Sequence, residues 1–117
     1  MPFGRVFHLR READGQPVGI VTELGSEVRE VVAGGLASQQ GVPPLAISPL
    51  SMEPCTWTLT EINGRPLNLC SREGEARDRL AAVGRAVTIL LQPTDFVNKV
   101  IKKGLKSLRG YKEFLLG

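Results

Sequence analysis

The chain has 117 residues, 42% of them apolar and 23% charged, with a formal net charge of +3. That length holds one hydrophobic core with a short extension, and the composition excludes a fibrous or disordered chain. No run approaches the roughly 18 apolar residues of a membrane span, and Met1-Pro2-Phe3-Gly4-Arg5 lacks the apolar stretch of a secretory signal.

In chain order, residues 5–11 alternate apolar Phe7 and Leu9 with polar neighbours, the pattern of a half-buried strand. Asp14-Gly15 signals a turn. Val18-Gly19-Ile20-Val21-Thr22 reads as a second strand, broken at Leu24-Gly25-Ser26, and residues 27–32 as a third. Gly34-Gly35 leads into a turn of helix over 36–40, stopped by Gly41. Residues 42–55 differ in character. Four prolines run through them, with Leu45, Ile47, Leu50 and Met52 between. Such density excludes a regular helix or a central strand and predicts an extended surface loop.

A strand over 58–62 then ends in Asn63-Gly64, two residues that tolerate positive φ and mark a tight turn. Ala76, Leu80 and Val83 have helical spacing, and Gly84 stands where such a helix stops. Counting back from Gly84 sets Glu73 at its first position, Arg77 at its fifth and Leu80 at its eighth. Glu73 and Arg77 form an expected i,i+4 pair. A final strand covers Val87 to Leu91.

The last 23 residues are a separate part: all five lysines of the chain lie there. From Asp95 onward six basic residues face two acids, whereas residues 1–94 hold nine arginines and ten acids. Thr94 suits a helix N-cap. Helical spacing gathers Val97, Val100, Ile101, Leu105, Leu108, Tyr111 and Leu115 in one arc of about 140°. Lys99, Lys102, Lys103, Lys106 and Arg109 take the opposite arc. Gly104 and Gly110 each weaken an isolated helix by about 1 kcal/mol, so a partner surface is expected.

These elements predict an α+β domain with a strongly bent antiparallel sheet of five to six strands, two helices, and a C-terminal amphipathic helix. Their order over residues 5–93 resembles a PDZ domain, with residues 42–55 as an inserted loop and 94–117 as a basic extension. The resemblance rests on Pro17-Val18-Gly19-Ile20, on Gly35-Leu36-Ala37 and on Asn63-Gly64-Arg65-Pro66-Leu67. It implies a scaffold or adaptor module that takes a C-terminal or internal peptide as an added strand between its second strand and second helix. Gly19 matches the family's key glycine in a loop of backbone N–H groups that holds the peptide carboxylate. Pro17 has no N–H, so Val18, Gly19 and Ile20 supply the amides, and Val21 and Thr22 continue the strand. Glu73 would read the peptide side chain two residues before the terminus, favouring hydroxyl or basic groups. Arg77 and Leu80 would line the groove further along the helix.

Other classes are poorly supported. A single histidine, His8, in a strand assembles no triad or metal set, and no glycine-rich nucleotide fingerprint appears. No cofactor is expected, and the reading is of a protein without catalytic activity. Nucleic acid is an improbable partner for a near-neutral body lacking any zinc, RRM or KH signature. Cys55 and Cys70 read as reduced thiols, which with the missing signal points to a cytoplasmic protein. The rival reading is a degenerate PDZ fold used for assembly. Its amphipathic extension would then dock on its own domain, a second copy, another protein or an anionic membrane surface.

Overall fold

The structure, a computed structural model, describes residues 4–22, 25–70 and 74–102. The alternating residues of the first segment form β1 (Arg5–Arg10), which buries Phe7 and Leu9. Among the described residues β1 pairs with one strand, β8 (Ala86–Pro93), antiparallel from Arg5↔Leu91 to Arg10↔Ala86. On its other edge β8 pairs with β6 (Trp57–Ile62), and β6 with the short β7 (Arg65–Pro66). The result is a four-stranded antiparallel sheet in the order β1-β8-β6-β7.

Asn63 (φ 51°) and Gly64 (φ 78°) make the turn between β6 and β7, as two positive φ values in succession require. The turn is tied to β8: Thr88 N–H donates to Asn63 Oδ1 at 2.8 Å, and Asn63 N–H to Thr88 O at 2.7 Å. A second ladder pairs β2 (Ile20–Thr22) with β3 (Val28–Val31). Among the described residues three helices complete an α+β fold: α1 (Leu36–Gln39), α2 (Glu75–Ala82) and α3 (Thr94–Lys102).

Residues 42–55 are more regular than a proline-rich loop predicts. They hold a two-residue ladder of β4 (Ala46–Ile47) with β5 (Pro54–Cys55). Pro54 opens β5, a place where a strand tolerates proline. Ser48 closes the tip: its N–H donates to Glu53 O at 2.8 Å, and its Oγ accepts the N–H groups of Leu50 and Ser51. Leu45, Ile47, Leu50 and Met52 are exposed. Among the described residues the ladders are thus one four-stranded sheet and two short pairs rather than a single bent sheet of five to six strands.

The core gathers Leu59, Ile89 and Leu91 from the sheet with Val28, Ala37, Ala76 and Leu80. Trp57 packs edge-on to Phe7, with ring centroids 6.4 Å apart, and donates Nε1–H to Pro43 O at 3.0 Å. A second apolar cluster of Phe96, Val97 and Val100 seats α3 beside Leu69 and near β6 and β8. Val97 and Val100 are each 1% exposed, whereas Lys99 and Lys102 face outward. Over its first turns the amphipathic helix therefore packs on its own domain. Val100→Asp should lower the melting temperature by roughly 10 °C or more, because an unpaired carboxylate replaces a buried methyl pair. Lys99→Ala should leave it nearly unchanged, and a thermal melt of both variants checks the assignment.

Candidate functional site

β2 carries the candidate site because, among the described residues, only one of its edges is paired within a ladder. β3 takes that edge, with Ile20↔Val31 and Val21↔Glu30 in register. Val32 N–H donates to Gly19 O at 2.8 Å, a single bond that extends the contact with β3 one residue before Ile20. Strand alternation then turns the N–H and C=O of Ile20 away from β3. Just before it, Ala37 N–H of α1 takes the Val18 carbonyl at 2.9 Å. Two successive carbonyls are therefore used toward the body of the domain. Among the described residues the N–H groups of Val18 and Gly19 have no acceptor.

Gly19 makes this geometry with φ of +83°, a conformation that L side chains rarely adopt. Its neighbours are close: a Cβ there would lie 3.3 Å from Leu36 N and 3.4 Å from Gly35 Cα. The Gly35-Leu36-Ala37 entry to α1 and the Val18-Gly19 turn are thus packed backbone against backbone.

Beside this turn lies a recess of about 210 Å³. One wall is formed by residues 15–18 and Ile20, the other by Arg77, Leu80 and Ala81 of α2. Val18 and Leu80 are buried, Ile20 is half-buried and Arg77 is exposed. Among the described residues the recess thus combines apolar Val18, Ile20 and Leu80 with polar Arg11, Gln16 and Arg77, and no acidic side chain lines it. Arg77 holds Asp78 through Nε at 3.2 Å, an exposed pair of small energetic weight.

Arg11 also lines the recess, although it is only 4% exposed. Its Nε–H donates to Gln16 O at 2.7 Å. Nη1 donates to Val83 O at 2.6 Å and Gly84 O at 2.7 Å, and Nη2 to Leu80 O at 2.7 Å. Among the described residues each of these acceptors is a backbone carbonyl, and no carboxylate forms an ion pair with Arg11.

Of the residues expected from sequence, Val18, Ile20, Arg77 and Leu80 come together around the recess, with Gly19 at the turn above. Val21 bonds inward to β3, and Thr22 is buried with its Oγ1 lacking a partner among the described residues. Glu73 lies outside the described residues. The helix begins two positions later than the count from Gly84 predicts, at Glu75 after Gly74 (φ 76°). Arg77 and Leu80 are therefore its third and sixth residues, not its fifth and eighth. The expected Glu73–Arg77 pair lies outside the described residues, within which Glu75 and Arg79 form an i,i+4 pair at 3.2 Å. Gly84 does not adopt a left-handed stop; Val83 ends the helix in an extended conformation. In the extension, Val97 is buried, Ile101 half-buried, and Lys99 and Lys102 exposed. Leu105, Leu108, Lys103 and Lys106 lie outside the described residues.

Arg11, Gln16 and Ala81 were not legible as site residues. Arg11 stands at the end of a strand pattern, where a solvated arginine is ordinary. Among the described residues no three His, Cys, Asp or Glu side chains group as a metal site, and no helix is long and apolar enough to cross a membrane. A comparison with protein-family models finds no match, and no curated protein is significantly similar to the chain.

Proposed function

We propose that residues 5–93 act as a PDZ-like peptide-binding module of a scaffold or adaptor. The ligand is an extended C-terminal or internal peptide, added as a strand between β2 and α2. The observation that carries the proposal is the turn at Val18-Gly19. Among the described residues its two N–H groups have no acceptor, and the recess beside it is lined by apolar and basic side chains with no acid among them. Main-chain hydrogen bonds along β2 would supply affinity, and the recess would take the last side chain. The module binds and does not catalyse.

A peptide array on the whole protein tests this, each sequence offered with a free and an amidated C-terminus. Tail capture predicts that amidation weakens the best ligands at least about tenfold, equivalent to about 1.4 kcal/mol. Equal binding of both forms would leave only internal-peptide capture, and no binding at all would remove the proposal.

The exposed Lys99 and Lys102 favour a second reading, attachment through the C-terminal extension to an anionic membrane, a second copy or another partner. The burial of Val97 and Val100 supports a docked α3, so apolar insertion by this part of the helix would require its release. Vesicle sedimentation with and without anionic lipid separates that reading from the first.

A further inference from the structure

α2 ends without the glycine cap that usually satisfies the last carbonyls of a helix: Val83 is extended (φ −73°, ψ 156°), and Gly84 is not left-handed. The guanidinium of Arg11 does that work instead, reaching Leu80, Val83 and Gly84 from just past the end of β1, more than 60 residues away. The same planar group reaches Gln16 O through Nε. Gln16 belongs to one wall of the recess, and Leu80 to the other. A single rigid fork thus spans both walls.

We infer that Arg11 is a positioning residue that fixes the width of the recess, and with it the size of terminal side chain that the recess accepts. This rests on the peptide-capture reading of the same recess. Lysine in its place keeps the charge, but its three donors sit on one atom and cannot hold both walls at once. The distance between α2 and the 15–18 turn is then free to vary.

The test uses the whole protein and the best tail peptide from the array, with Val, Leu or Phe as its last residue. Wild type should discriminate between the best and worst of these by about tenfold or more, as pockets do for small apolar differences. R11K should keep its fold by thermal melt, while the ratio falls to about threefold or less. A folded R11K with the wild-type ratio overturns the inference. Failure of wild type to bind any of the three overturns the peptide-capture reading itself. If R11K does not fold, the wild-type protein decides. The Arg11 Nε–H resonance should exchange slowly with water and stay in place when peptide shifts the Val18 and Gly19 amides. Exchange at the solvent rate would show that the fork does not hold the walls.

Discussion

Gly19→Ala should abolish tail binding and destabilise the domain by about 1–3 kcal/mol. The backbone at Gly19 is left-handed, and the added methyl would press on Leu36 N and Gly35 Cα, main-chain atoms that cannot swing aside. Relief requires the turn to move, which withdraws the amides of Val18 and Gly19 from the recess. Gly19→Asp adds repulsion of an incoming carboxylate to the same strain. Gly34→Ala is the control, since Gly34 has φ of +74° but nothing within 4 Å of its would-be Cβ. It should show the backbone cost alone and leave peptide affinity intact. Urea titrations and peptide titrations of the three variants measure both effects. Undiminished affinity in both Gly19 variants would remove the turn from the binding site.

Trp57→Ala should be the most destabilising single truncation, at about 3–5 kcal/mol, lowering the melting temperature by roughly 15 °C. Trp57 is buried, meets the edge of Phe7 and holds Pro43 O through its indole N–H. It therefore joins the sheet to the segment that leads into the β4–β5 hairpin. Trp57→Phe keeps most of the packing and loses the hydrogen bond, so it should cost much less, about 1 kcal/mol for the bond plus the lost volume. Near-equal melting of the alanine and phenylalanine variants would mean that the indole does not anchor the hairpin.

What was legible in the sequence was local. The β1 alternation, the Asn63-Gly64 turn, the entry to α1 at Gly35 and the apolar run of β8 each depend on a few adjacent residues, and each lies where the pattern puts it. The start of α2 was missed by two residues because a left-handed Gly74 opens it. Its end lies where Gly84 predicts, but Arg11, remote in sequence, holds the last carbonyls in place of a left-handed glycine cap. The hairpin in residues 46–55 was hidden by prolines, which forbid a long ladder but not one of two residues. Phe96 falls outside the predicted apolar arc of α3, yet the helix buries it beside Val97. Half of the recess was visible, since Val18, Gly19, Ile20 and Leu80 follow a strand-and-helix pattern. The other half depends on contacts across some 70 residues, which no local period encodes.

The pairing of β1 with β8 has a consequence for how the chain is made. Of the described strands, β1 leaves the ribosome before the others and finds its ladder only in β8, because Arg5 stands opposite Leu91. During synthesis Phe7 and Leu9 must wait, without their sheet partner, while the other strands emerge. Closure of so long a loop is slow, and its unpaired strand is exposed to other chains meanwhile. Pairing of β1 thus waits on synthesis reaching β8, and a product stalled or truncated before β8 would carry β1 open.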